Sequence, residues 1–475
     1  MLHRVNETIS DCFIDSVKLL VYNTIMDFKS TLKTIINDFQ KGSLPKIFPR
    51  DKEIPTNTDF VVAVIGARKA GKTYLVFETI QKLIKAGVKK EQIIYINFED
   101  ERLRGLEAKQ LDYILKVYAE LYPDIDMRES YIFMDEVQNV KGWEQFVRRV
   151  LESITKKIVV TGSNSKLLSS EIASALSGRT YTVELFPLSF KEFLGFKKIP
   201  NSLNDYYIST YRSKIINGLE EYLQYGGIPD IVKSDTSLKI ALLQEHFNTV
   251  VFRDLIQRYK VTNLKAIDFF LKQLVNSNAK EFSINKIYNS FRSVGLKSGR
   301  DVLYEYLSYS QNIYFAFVLN KYERNLRLAE QTSKKIYFID TGLVNSISMD
   351  GFDKKAILLE NMLFSNIYRN NKEIYFYKEE QGGCDFVLYE RGLVKEAIQV
   401  SYSIEDANTK KRELFGLIRA CKTLGLHQGT IIIYDGDKKE EEVEGIKINI
   451  ISASEYLLTD IKQSQGKRVG LKGNP

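Results

Sequence analysis

Residues 66–73 read Gly-Ala-Arg-Lys-Ala-Gly-Lys-Thr, the spacing G-x-x-x-x-G-K-[ST], and this stretch constrains the fold of the chain more tightly than any other. The glycines let successive backbone N–H groups curl around a phosphate. The lysine reaches the outer phosphate oxygens, and the threonine hydroxyl is placed for Mg2+. Such a loop works between a strand and a helix whose N-terminal dipole faces the anion. Both flanks are present, an apolar β-branched run over Phe60–Ile65 and a helical pattern from Tyr74 to Lys85. The phosphate site is therefore read as Gly66, Ala67, Arg68, Lys69, Ala70, Gly71, Lys72, Thr73 and Tyr74, with ATP and Mg2+ as the expected ligands.

Short, uniformly apolar strands separated by helices follow at 92–98, 131–134, 157–161 and 180–185. That pattern predicts a parallel sheet covered on both faces, hence an α/β fold. The third strand ends in Asp135 and Glu136, and acids at the end of a buried strand are costly unless something uses them. Asp135, with Thr73, is the candidate Mg2+ residue, and Glu136 the candidate base for an attacking water. After the fourth strand, Thr161-Gly-Ser163-Asn164 offers Asn164 either as a sensor of the terminal phosphate or as a helix N-cap. Arg179, Arg253 and Arg258 are candidates for the cation that offsets transition-state charge, each against a structural or surface role. Glu99 and Asp100 could support the metal site.

Length and composition narrow the setting. At about 150 residues per domain, 475 residues predict roughly three domains. Three widely separated cysteines exclude a disulfide scaffold and a CxxC zinc cluster, and three histidines argue against a His-rich metal site. The net charge of 68 − 60 = +8 permits a polyanionic partner without requiring one. No stretch reads as a transmembrane helix or signal peptide, so a cytoplasmic protein with no membrane partner is expected.

The succession GARKAGKT, NFEDERL, YIFMDEVQNV, VVTGSNSKLLSSEIASALSGRT, ELFPLSFKEF, YLQYGGIPD and KIYFIDTGL resembles the archaeal and bacterial AAA+-type ATPases that carry a C-terminal DUF4143 domain, from about Pro49 onward. The resemblance implies a P-loop NTPase core with a parallel sheet, a helical lid, a winged-helix segment and a nuclease-like C-terminal domain. The corresponding divisions are a helical preface and connector (1–58), an ATPase core (59–190), a lid (191–262), a winged-helix-like domain (263–345), a nuclease-like domain (346–460) and a basic tail (461–475). It also supports Lys72, Thr73, Asp135, Glu136 and Asn164 as nucleotide and metal residues. In the winged-helix segment, the helix beginning near Ser298 takes the recognition position, with Lys297 and Arg300 at its entrance. Asp301 and Glu305 on that helix would repel phosphates, so DNA contact and protein packing both stand open.

Residues 355–434 resemble the PD-(D/E)xK nuclease fold, with Glu360 on the helix, Asp385 on one strand, and Gln399 and Ser401 on the next. An active member would carry an acid at the Gln399 position and a lysine at the Ser401 position. The domain is therefore expected to be degenerate, a binding or docking module, unless a residue from elsewhere substitutes. Three functions remain: an ATP-hydrolysing motor or switch that engages nucleic acid; an ATP-controlled regulatory protein with slow turnover and a protein partner; and an ATP-regulated metal-dependent nuclease. An oligomer is compatible with each.

Overall fold

The computed structural model describes residues 28–163, 176, 178–323, 333–348, 355–371, 373–380 and 382–459. Asn164, residues 1–27 of the preface and the 461–475 tail lie outside the described residues. The chain divides into two compact units. One runs to Gly66 and resumes from Gly71 to Leu185; the other takes Ala67–Ala70 and continues from Phe186.

In the first unit a helix, α1, spans residues 28–41, and the proline-bearing connector after it holds neither helix nor strand up to residue 60. Then follow β1 (Val61–Gly66), α2 (Lys72–Lys85), β2 (Ile93–Asn97), α3 (Asp112–Leu121), β3 (Tyr131–Asp135), α4 (Trp143–Ser153), β4 (Ile158–Gly162) and β5 (Thr180–Leu185). All five strands are parallel, in the order β2-β3-β4-β1-β5. β1 is buried at all six positions. That is what a central strand covered on both faces requires, and it explains the unbroken apolar run. Val62, Val64, Leu75, Val76, Ile80, Phe133 and Val159 share one core. Because β4 lies between β1 and β3, the phosphate-loop end of β1 and the acid-bearing end of β3 flank the end of β4.

The second unit opens with helices α5 (Phe190–Phe196), α6 (Leu203–Tyr206), α7 (Ser209–Tyr225), α8 (Pro229–Lys233) and α9 (Thr236–Thr249), the last continuing into a π-helical stretch over Val250–Gln257. Next come α10 (Leu264–Asn276), β6 (Glu281–Phe282), α11 (Ile284–Ser293), α12 (Arg300–Asn312), β7 (Ala316–Asn320), β8 (Lys334–Phe338) and α13 (Thr341–Ile347). Strands β6-β8-β7 form an antiparallel sheet in that order. The remainder is α14 (Lys355–Asn370), β9 (Ile374–Glu379), β10 (Gly382–Glu390), β11 (Leu393–Ser401), α15 (Ala407–Leu424), β12 (Gln428–Ile433), β13 (Lys439–Val443), β14 (Ile446–Ser452) and α16 (Ala453–Leu458). These last strands make a six-stranded mixed sheet, β13-β14-β12-β11-β10-β9.

The segment expected as a lid, 191–262, groups with everything that follows it. Tyr434 donates to Glu220 on α7 at 2.8 Å, and Arg212 on α7 donates to Asp437 at 2.9 Å. Buried Asp340, at the N-cap of α13, accepts from Gly227 N at 2.7 Å and from Gly342 N and Leu343 N at 3.0 and 3.3 Å. A Cβ on Gly226 would fall 1.9 Å from the Asp340 carboxylate, so the Gly226-Gly227 turn admits this contact by lacking side chains. Among the described residues no helix is long and apolar enough to cross a membrane.

Candidate functional site

The phosphate loop is shaped by two glycines. Gly66 ends β1 at φ +154°, and a Cβ there would stand 2.0 Å from the Leu185 carbonyl oxygen of neighbouring β5. Gly71 takes φ +99° as the N-cap of α2, and no side chain caps that helix. Lys72 is buried and its Nζ donates to Gly66 O at 3.3 Å. The same Nζ stands 3.2 Å from Oε1 of Glu136.

Asp135, at the end of β3, is fully buried. Its carboxylate accepts from the Thr161 hydroxyl, from Tyr95 OH at 2.9 Å, and from the Thr73 hydroxyl. Burial raises its pKa above the usual carboxylate range. The Thr161 hydrogen bond pulls it back, the Glu136 charge pushes it up, and Thr73 and Tyr95 pull it back again. Such an acid is costly in ionised form unless a cation faces it. Glu136 takes a left-handed backbone conformation, φ 52° and ψ 46°. Its N–H donates to Thr161 Oγ1 at 2.9 Å, and Gln138 donates to its carboxylate. Thr161 thus orients both acids from the end of β4.

Five expected site residues therefore come together in the first unit: Gly66, Lys72, Thr73, Asp135 and Glu136. Tyr74 follows on the first turn of α2 and is exposed. In the second unit, Arg68 Nε donates to Asp254 Oδ2 at 2.8 Å, Lys69 stands 3.7 Å from Asp230, and Ala70 is buried. Tyr95, Thr161 and Gln138 were not legible as partners of the acids. Tyr95 reads as one more aromatic in an apolar strand, and Thr161 shows only as part of a polar strand end.

Arg179 lies away from the phosphate-loop end of the sheet. It immediately precedes β5, where Thr180 pairs with Val61, whereas the loop begins at Gly66, paired with Leu185. Five strand steps of about 3.3 Å separate the two ends of the sheet, about 17 Å. Its guanidinium lies 3.6 Å from Glu152, both exposed. Arg258 pairs with buried Asp254 at 3.1 Å, and Arg253 is exposed. Asp100 caps a short 3-10 turn and pairs with Arg102 at 2.7 Å, which holds its carboxyl below the usual range. Glu99 is exposed.

A second cluster lies within the second unit. Glu360 on α14 and Asp385 on β10 come together, but a residue that sequence reading did not single out stands between them. Lys335 Nζ, from β8, donates to Glu360 Oε1 at 2.9 Å and to Asp385 Oδ1 at 2.8 Å. Tyr337 OH donates to the same Glu360 oxygen at 2.6 Å, and Val400 N donates to Asp385 Oδ2 at 3.0 Å. Burial and the Asp385 charge push Glu360 up to about 7, against Lys335 and Tyr337. Gln399 and Ser401 do not join. Gln399 donates to Glu413 at 2.7 Å, and Ser401 Oγ donates to Ser403 O at 2.8 Å.

A G-x-x-x-x-G-K-T loop ending an interior strand of a five-stranded parallel sheet, with an acid pair ending a nearby strand, defines the first unit as a P-loop core of the AAA type. The family model described as an AAA domain matches residues 58–194. Residues 216–355 match a domain of unknown function, DUF8612, in place of the DUF4143 expected from the sequence motifs. The chain belongs to the same family as the uncharacterized protein MJ1544 of Methanocaldococcus jannaschii, with 33% identity over 86% of this chain and 90% of that protein. An uncharacterized protein of Haemophilus influenzae is 28% identical over 82% of this chain and 93% of its own. Among solved structures, the Walker-type ATPase PABY2304 of Pyrococcus abyssi is similar at 14% identity and a TM-score of 0.40, over 61% of this chain and 91% of that one.

Proposed function

We propose that the protein is an Mg-dependent ATP-binding and ATP-hydrolysing switch or motor whose C-terminal half engages nucleic acid. The observation that carries the proposal is the pairing of loop residues with strand-end acids: Lys72 with Glu136, and Thr73 with Asp135. The buried, desolvated Asp135 beside a threonine hydroxyl fits a divalent cation. Thr73 and Asp135 would hold Mg2+, which when bound supplies positive charge to the phosphate oxygens. Lys72 binds the β- and γ-phosphates and in doing so exchanges its Glu136 partner for phosphate oxygens. Glu136 then orients a water for attack on the γ-phosphorus and accepts its proton as the bond to the β–γ bridging oxygen breaks. Thr161 and Gln138 hold Glu136 for this task.

The nucleic-acid part rests on element order. The succession α10, β6, α11, α12, β7, β8 supports a winged helix, with α12 in the recognition position. The succession α14, β9, β10, β11, α15, β12 supports a nuclease-derived fold. One observation favours a regulatory protein with a protein partner instead: α12 exposes Asp301, Tyr304 and Glu305 where phosphates would lie.

Steady-state ATPase rates with and without single- and double-stranded DNA test both readings. Stimulation of about tenfold that falls with salt is expected for a nucleic-acid-dependent enzyme. Turnover indifferent to DNA would favour the protein-partner reading. Glu136→Gln should bind ATP and lose turnover at least about a hundredfold. Normal turnover in that variant would remove Glu136 as the base.

A further inference from the structure

The resemblance to metal-dependent nucleases implies a divalent cation between Glu360 and Asp385, and the residues around that point do not fit one. An ammonium nitrogen already stands 2.9 and 2.8 Å from an oxygen of each carboxylate. A hard divalent ion needs carboxylate oxygens at about 2.0–2.6 Å, so it cannot share that space with Lys335. Two more donors crowd the same carboxylates. Tyr337, two residues along β8 and so on the same face, donates to Glu360, while the Val400 amide holds the second Asp385 oxygen. The two positions that would complete a metal site carry a neutral amide turned to Glu413 and a hydroxyl turned to a backbone carbonyl. Among the described residues no group of three or more His, Cys, Asp or Glu side chains is arranged to hold a metal.

The lysine is built into this position. Its ammonium lies 5.7 Å from the Phe376 ring centroid on β9. Glu281, its register partner on β6, directs its carboxylate to Lys378 instead. All three charged side chains of the cluster are largely buried, at 14%, 16% and 13% exposure for Lys335, Glu360 and Asp385. Two carboxylates at that depth need a cation, and removing it leaves uncompensated buried charge.

We propose that Lys335 is a resident cation that takes the place of a metal, turning the Glu360–Asp385 pair into a metal-excluding latch between the three-stranded sheet and the six-stranded sheet. The latch reaches across three elements, since β8 supplies the ammonium and α14 and β10 the carboxylates. It makes the cation site expected from the nuclease resemblance an internal fastening of the C-terminal domain, and it stands independently of whether the P-loop hydrolyses ATP.

The test is Mn2+ titration of the full chain without nucleotide, in the wild type, Asp385→Asn, Lys335→Ala and Lys335→Ala/Asp385→Asn. The wild type should show no Mn2+ site that Asp385→Asn removes, up to about 1 mM. Lys335→Ala should gain one site, at least about tenfold tighter than any wild-type signal, and the double variant should lose it. A wild-type Mn2+ site that depends on Asp385 would overturn the proposal, as would a folded Lys335→Ala protein that gains none. If Lys335→Ala does not fold, thermal unfolding of the wild type with Mn2+ and with EDTA decides. Equal midpoints support the latch, and an Mn2+ stabilisation that disappears in Asp385→Asn refutes it.

Discussion

At the scale of single residues, two buried titratable groups in the second unit give acid stability opposite slopes. His246 on α9 is 3% exposed, and its pKa is pulled down to about 4, first by burial and then by the positive charges of Lys69 and Arg68. The unfolded chain takes up that proton near 6.5 and the folded chain only near 4. The His246 contribution is therefore complete above 6.5 and is lost as pH falls towards 4, by about 3 kcal/mol. Asp340 behaves in the other sense. Burial pushes its carboxyl up to about 6, against the pull of the N–H groups of Gly227, Leu343 and Gly342. The folded chain then holds a proton that the unfolded chain has released, so this contribution is present below about 4 and is lost as pH rises through 6. Urea midpoints between pH 7.5 and 4.5 should fall less steeply in His246→Phe than in the wild type, and more steeply in Asp340→Asn. Identical slopes would remove these assignments. At neutral pH, Asp340→Asn should also cost about 2 kcal/mol, because an amide presents a donor to one of the three N–H groups its carboxylate accepts from.

At the scale of elements, α15 shows how a helix that the residue pattern did not single out is fixed from its ends and by close contact. Asp406 caps it by accepting from Thr409 N at 2.7 Å, and Gly425 ends it in the left-handed conformation at φ 74°. In its middle, Gly416 lies against the backbone of β10, where an added Cβ would meet Gly383 O at 2.8 Å. Asp406→Ala should lower stability by about 1 kcal/mol. Gly416→Ala, which helix propensity alone would favour, should instead lower it by about 2 kcal/mol, because the obstacle is backbone. Denaturant unfolding of the two variants checks the order, and a stabilised Gly416→Ala would show that the helix is held less closely. Two of the elements that escaped sequence reading share a cause. The first turns of α15 carry Lys410, Lys411, Arg412 and Glu413, and β13 reads Lys-Glu-Glu-Glu-Val. β13 is an edge strand with no apolar alternation, held by ladder bonds to β14 and by charge pairs such as Lys447–Glu440 at 2.8 Å. By contrast, β1 to β5 and α2 were legible nearly to the residue, because each buries an apolar run or stripe of its own.

At the scale of the whole molecule, the chain is organised as two units, and the segment expected to act as a lid belongs with the C-terminal half. Ligand binding should stabilise the unit that holds Lys72. Mg-ATP at about a hundred times its Kd contributes about 2.7 kcal/mol to the folded state. Calorimetry should show an unfolding transition that moves up with Mg-ATP in the wild type and stays put in Lys72→Ala. A shift retained in Lys72→Ala would place the nucleotide elsewhere.

The sequence by itself determined the chemistry that lies within a few consecutive residues. The phosphate loop, its flanking strand and helix, and the acid pair ending β3 depend on spacing and local conformation, which eight or ten residues can specify. The tertiary structure decided every relation that depends on strand order. The sheet seats β4 between β1 and β3, which brings Thr161 to both Asp135 and Glu136 and sets Lys72 against Glu136. It also put Arg179 at the opposite end of the sheet from the phosphate loop, although in sequence it is simply one more arginine after the motif. Lys335 is the plainest case: fifty residues before Asp385, on a different sheet, it carries no local sign of its role. Only the packing of β8 against α14 and β10 brings its ammonium to two buried carboxylates, because long-range pairing of charges is fixed by which elements are neighbours, and local sequence does not encode that.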